Sequence, residues 1–408
     1  MKKFLFAAIV ALLALNCGAQ NSYKWKITKQ SRPELRDSLQ MHGLKAGECW
    51  NFTLPVKDVE AGSYVEFDLV VGSEPDSPKY FMVEYLDGRQ WKPTEGRVYP
   101  VPENPKLKYN VKCTGIPNQT FTVLQTFRLK KAIKEGELKM RLRVIGDYSC
   151  SGGKLSDGGS RNMVRMMPYG YIGGYARVLG TQTPVDTLRV GWLGNSFTFV
   201  NAADFILKEL AFYEGHYLDM HVNYYPGAYF RSHILMPASL DVLSEGGYDW
   251  FILQDQSTQA ARYGRDEDRL IIDYASSVAS LIRYFSPECK IAYEQTWAFS
   301  MNDYSGFGGF EYFDKCSSKG AKAISEKIEA AVSPIAKAFA VVRSERPDIE
   351  IYSTDFHHPA AYGAYLKACC DYLVIFGEPF TSDKADFALD SKICAYLRQV
   401  AQKVCCVQ

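Results

Sequence analysis

Three residue types that together can drive acyl transfer stand at two points in the second half of the chain. A serine sits in Gly194-Asn195-Ser196-Phe197-Thr198, and an acid and two imidazoles sit in Asp355-Phe356-His357-His358-Pro359. A serine hydroxyl is a poor nucleophile at neutral pH, so an imidazole must take its proton as it attacks a carbonyl carbon. A carboxylate beside that imidazole fixes the tautomer and stabilises the imidazolium. The D-x-x-H spacing lets Asp355 and His358 meet on one turn without help from another segment. Of the six histidines (His42, His216, His221, His233, His357 and His358), only the last pair falls at the end of a predicted strand. Each residue also has a plain use. Ser196 could cap a helix, Asp355 could cap the next helix with Pro359 in its first turn, and Gly227 could be a turn.

Those residues must be positioned by something, and from Asp186 onward strands alternate with long amphipathic helices. "LRVGWL", "LDMHVNYYPG", "DWFILQ", "KIAYEQTW" and "IEIYST" form five apolar runs. Helices are expected from Ala202 to the Glu214-Gly215-His216 turn, over Asp266–Phe285, over Gly320–Ser344 with a bend near Pro334, over Ala361–Phe376 and over Lys384–Val404. This alternation implies a parallel sheet covered on both faces, with a ligand crevice at the carboxyl ends of the strands. At those ends the chain places Asn195-Ser196, Pro226-Gly227-Ala228, Gln254-Asp255-Gln256-Ser257, Glu294-Gln295-Thr296-Trp297 and Asp355 to Pro359. Polar and small residues gathering at one edge of an apolar sheet mark a site more readily than packing.

Residues 20–185 have another texture, with short runs alternating at period two between Gly, Pro, Asn and Asp turns. They predict an all-β, sandwich-like domain. Before it, Lys2 and Lys3, the apolar run Phe4–Leu15 and the small residues Gly18 and Ala19 form a secretory signal over residues 1–19. The chain is therefore expected to be exported: periplasmic, secreted or on the outer surface. A lipid anchor at Cys17, in a lipobox-like "ALNC", is the alternative to plain cleavage after Ala19. No later stretch reaches the ~18 apolar residues of a membrane helix. Charge is balanced, with 47 Lys and Arg against 46 Asp and Glu, and 45 against 46 once Lys2 and Lys3 are removed. That balance excludes nucleic acid held by bulk electrostatics. The eleven cysteines show no C-x-x-C or zinc spacing, so no metal or other cofactor is expected, and one or two disulfides at most.

"GNSFT" and "DFHHPAAYG" together resemble the SGNH (GDSL-like) hydrolase superfamily, in its G-N-S-F-T branch, over residues 186–408. Pro359 and Gly363 extend the likeness. The resemblance implies a flavodoxin-like three-layer α/β/α fold with a five-stranded parallel sheet. It also implies Ser196 as nucleophile, His358 as base and Asp355 as its partner. The oxyanion donors it implies are the N–H groups of Ser196 and Gly227 and a side-chain amide from a third block. That block departs from the family's G-x-N-D, because "LQDQS" stands in its place. Gln254 or Gln256 could supply the amide, and the count favours Gln256. The expected activity is an exported serine esterase acting on a small acyl ester, with an acetylated or otherwise acylated glycan as partner. The competing expectation is a glycan-binding protein whose altered third block has abolished catalysis and whose β-domain does the work. Tyr293, Trp297 and the aromatic loop from Asp303 to Phe313 could stack on a sugar or simply pack. In the β-rich half, Trp50 and Trp91 are the first residues to inspect for sugar binding.

Overall fold

The computed structural model describes residues 21–24, 26–27, 40–95, 98–115, 120–156, 162–166, 175–178, 181, 187–263, 270–301, 306–386 and 389–406. The signal segment and Cys17 lie outside these residues. Contacts divide the chain into two compact units, one within residues 1–185 and one built mainly from Asp186 to Gln408.

The first unit is antiparallel. Ile133–Val144 pairs with Cys49–Val59 on one side and with Tyr80–Asp87 on the other. Tyr64–Ser73, in a second sheet, pairs with Met163–Met166 and Tyr175–Val178. Aromatic rings from both sheets meet in the core: Phe52 lies edge-on to Phe67 with ring centres 6.2 Å apart, and Phe67 to Phe127 at 6.3 Å. Trp50 is wholly buried there. Trp91 is half-buried, with the Arg141 guanidinium 4.3 Å above its ring.

The second unit is numbered in its own chain order. Its strands are β1 (Thr187–Gly194), β2 (Tyr217–Tyr224), β3 (Trp250–Leu253), β4 (Lys290–Glu294) and β5 (Ala331–Ser333). They are parallel at every junction, in the order β2-β1-β3-β4-β5. This is the flavodoxin-like order, whose switch point lies between β1 and β3. Side chains alternate across the sheet. Leu193, Phe251, Leu253, Ile291 and Tyr293 join one core with helices Pro237–Glu245, Ile271–Phe285 and Phe310–Lys327. Trp192 and Ile252, equally buried, belong to the opposite face. Helices Ala203–Tyr213, Ile335–Glu345, Ala361–Phe376 and Ser391–Cys405 pack together as a second group.

The fifth strand is not the expected "IEIYST". Only Tyr352 in that stretch makes a bridge, antiparallel to Pro359. Instead, the stretch predicted as one bent helix splits into Phe310–Lys327, β5 and Ile335–Glu345. Two local causes account for this. Glu329 turns the chain with φ 50°, and Pro334 lacks an N–H and biases Ser333 toward extended backbone. The long helix predicted from Asp266 is observed over Ile271–Phe285, and residues 264–269 lie outside the described set. The last predicted helix is a short turn at Lys384–Asp386 followed by Ser391–Cys405, which Asp390 caps through the N–H groups of Lys392 and Ile393. All ten cysteines from Cys49 to Cys406 are free thiols.

Candidate active site

β1 ends at the switch point, and the chain turns there into a four-residue helix, Ser196–Phe199. The helix is capped by Asn195 and not by Ser196: the Asn195 Oδ1 accepts the Phe197 N–H at 3.1 Å. Asn195 is buried, and its amide donates to the carbonyls of Asp255 at 3.0 Å and Ala228 at 3.2 Å. Relieved of capping, Ser196 stays half-buried at the strand edge.

Asp355 and His358 lie in a loop closed by the Tyr352–Pro359 bridge and by a 2.8 Å hydrogen bond from the Ser353 N–H to the His358 carbonyl. Gly363, one turn into the next helix, lets that helix rest on the base of the loop. A Cβ there would stand 2.1 Å from the Ile351 carbonyl oxygen. Within the loop, Asp355 Oδ1 accepts the N–H groups of His357 at 3.1 Å and His358 at 3.0 Å. Its Oδ2 lies 2.6 Å from His358 Nδ1, and His358 Nε2 lies 2.7 Å from Ser196 Oγ. Burial pulls the Asp355 carboxyl up, but the His358 side chain and the two backbone N–H groups outweigh it and lower it to about 2. An ionised carboxylate can only accept. The imidazole proton therefore belongs on Nδ1, which leaves the Nε2 lone pair facing the serine hydroxyl.

The third block resolves the two glutamines differently. Gln254 is buried, and both ends of its amide are engaged. Nε2 donates to Asn195 Oδ1 at 2.7 Å and to the Asp255 carbonyl at 2.9 Å, while Oε1 accepts the Thr198 hydroxyl at 2.7 Å. It thus clamps the serine turn and has no N–H left to offer an oxyanion, which corrects the expectation that it could serve there. Gln256 is half-buried; its Oε1 accepts from Thr258 N–H at 2.8 Å, and its Nε2 donates one hydrogen to Ser257 Oγ at 3.1 Å. Between them, Asp255 holds the N–H groups of Phe230 (3.0 Å) and Gln256 (2.8 Å). Burial raises its carboxyl to about 7 against the pull of those two bonds. Gly227 lies in the exposed turn after β2 with φ 65°, a conformation that a side chain would strain.

Of the candidate aromatic wall, Tyr293, Trp297, Phe307, Phe310 and Phe313 are packing, Tyr312 is 54% exposed, and residues 302–305 lie outside the described set. Tyr293 and Trp297 are each 1% exposed. Trp297 is stacked between Phe197 (4.5 Å) and Phe339 (4.2 Å), and its indole N–H holds the His357 carbonyl at 3.0 Å. Phe197 in turn presents its ring to the His358 imidazole at 5.4 Å. Glu294, at the end of β4, pairs with buried Lys367 of the helix that follows His358. The sequence assigned no role to Asn195, Thr198 or Lys367; for Asn195 the signal was present, since Asn directly before a short helix start is a preferred cap. Asp355, His357 and His358 also form a cluster with cation-ligand atoms, but Asp355 Oδ2 and His358 Nδ1 already satisfy one another.

No family model matches the chain, and no curated protein matches it. Among solved structures it is similar to a DUF4886 family protein from Bacteroides uniformis, at 17% identity and a TM-score of 0.46, over 54% of this chain and 95% of that one. It is similar to an acetyl xylan esterase at 14% identity and a TM-score of 0.38, over 46% of this chain and 100% of the other. A family two carbohydrate esterase from Clostridium thermocellum, in complex with cellohexaose, is similar at 12% identity and a TM-score of 0.36, over 82% of this chain and 92% of the other.

Proposed function

We propose that this chain is an exported serine esterase of SGNH (GDSL-like) type that removes small acyl groups, acetyl foremost, from carbohydrate. The observation that carries the proposal is the unbroken chain from Asp355 Oδ2 through His358 to Ser196 Oγ, with contacts of 2.6 and 2.7 Å. Ser196 Oγ attacks the ester carbonyl carbon while His358 Nε2 takes the hydroxyl proton. Asp355, ionised, stabilises the imidazolium so formed. The oxyanion is received by the N–H groups of Ser196 and Gly227 and by the amide of Gln256, each donor contributing about 3 kcal/mol. When the tetrahedral adduct collapses, the C–O bond to the alcohol breaks and His358 returns the proton to the departing oxygen. Water, deprotonated by the same imidazole, then releases the acid and restores Ser196. Export rests on the Lys2-Lys3 and Phe4–Leu15 pattern, and the carbohydrate rests on the resemblance and the appended β-rich half.

Hydrolysis of p-nitrophenyl acetate by the wild type, Ser196→Ala and His358→Ala tests this. Turnover by the wild type with a loss of about three orders of magnitude in each variant is expected. Equal, slow rates for all three would remove the esterase and bring the glycan-binding alternative forward.

A further inference from the structure

Phe356, between the acid and the two histidines, differs from the aromatic residues around it in two ways. Its backbone has φ 68°, where a bulky side chain is a genuine outlier. Its side chain is 43% exposed, while Trp297, Phe299, Phe307 and Phe339 are buried. Glycine would hold the same backbone without strain, and a ring left in water adds little to a core. Strain retained at an exposed bulky residue beside reacting groups is a reason to look for function in the side chain. The loop holds it firmly. The Phe356 N–H donates to the Ser353 carbonyl at 2.9 Å, and its own carbonyl accepts the Ser300 N–H at 2.9 Å and the Ser300 hydroxyl at 3.2 Å. Met301, the residue after Ser300, is likewise 43% exposed.

The chemistry of acylation says which part of an ester lies here. His358 must hand its proton to the departing alkoxide, so the alcohol leaves on the imidazole side. Phe356 is two residues from that imidazole. We propose that Phe356 forms the subsite for the alcohol portion of the ester, and that this subsite takes a pyranose ring. A pyranose offers a C–H face that covers an aromatic surface while its hydroxyls stay in water. This proposal rests on the esterase reading and goes beyond it by assigning the residue that selects the alcohol.

The test compares an O-acetylated methyl pyranoside with ethyl acetate, using the full chain as wild type, Phe356→Ala, Phe356→Gly and Phe356→Trp, with Ser196→Ala as the blank. The ratio of kcat/KM for the pyranoside acetate over that for ethyl acetate is expected to fall about tenfold in Phe356→Ala, chiefly through KM. Phe356→Gly, which relieves the backbone strain, should show the same fall, and Phe356→Trp should restore the ratio. An unchanged ratio in both small variants, or a fall in Ala that Gly abolishes, overturns the subsite. Wild-type rates no higher than the Ser196→Ala blank on either ester would instead overturn the esterase reading, and the subsite with it.

Discussion

His358 and His221 belong to the same α/β unit and both stand against carboxylates, yet the two imidazoles are set up for different ends. His358, beyond the carboxyl ends of the strands, faces one carboxylate through Nδ1 and a hydroxyl through Nε2. His221, midway along β2, has Glu245 Oε2 at 2.9 Å from Nδ1 and Asp219 Oδ1 at 3.0 Å from Nε2. Arg189 closes that cluster, 2.7 Å from Glu245 and 3.5 Å from Asp219. Burial pulls the His221 imidazolium down, but the two carboxylates outweigh it and raise it to about 9. A histidine with an anion at each nitrogen is a fixed cation, whereas one anion and one hydroxyl, as His358 has, is the arrangement the proposed general base requires. The residue types are the same; the atom opposite the second nitrogen makes the difference.

The contrast can be broken most forcefully at the acids. Asp355→Asn is expected to lower kcat by about three to four orders of magnitude, because the amide favours the wrong tautomer. Asp219→Asn should leave kcat within about twofold. Side-by-side steady-state kinetics on p-nitrophenyl acetate decide this, and comparable losses in both variants would erase the distinction.

Removing His221 tests the other half. His221→Phe leaves Asp219 and Glu245 without their shared partner and should cost about 2–4 kcal/mol of unfolding free energy in urea at pH 7. Its kcat per folded molecule should stay at the wild-type level. The same cluster predicts a pH dependence. The folded-state value of about 9 lies above the ordinary 6.5, so its stabilisation is complete below pH 6.5 and is lost as pH rises to 9. The wild-type thermal midpoint should fall across that window by the equivalent of at most about 3 kcal/mol, and the decline should be much shallower in His221→Phe. Equal slopes would refute the assignment.

The smallest expected effect sharpens the account of the serine turn. Gln254→Ala removes the clamp on Asn195 and Thr198 and should lower kcat about tenfold through misplacement of Ser196, with a destabilisation of about 2 kcal/mol. An unchanged kcat beside the same destabilisation would make Gln254 purely structural.

Sequence legibility followed the range of the interaction. Asp355 and His358 are three residues apart, and one turn of chain joins them, so their partnership could be seen in the spacing. The alternation of apolar runs and helices was legible for the same reason. The position of β5 was misjudged, because "AAVS" continues an amphipathic period that Glu329 and Pro334 interrupt. Tyr293 and Trp297 could not be told apart from a binding wall, since an aromatic residue at a strand end looks the same whether or not another ring covers it.

The sequence by itself determined the residue types at the sheet edge, the Asp355–His358 pairing and the division into a β-rich and an α/β part, all consequences of local spacing and periodicity. Only the tertiary structure decided that Ser196, 162 residues before His358, meets its imidazole, that Asn195 and not Ser196 caps the helix, and that Gln254 is consumed as a clamp. Those outcomes depend on which strands become neighbours, and strand neighbours are chosen by burial of the whole sheet rather than by any short stretch of chain.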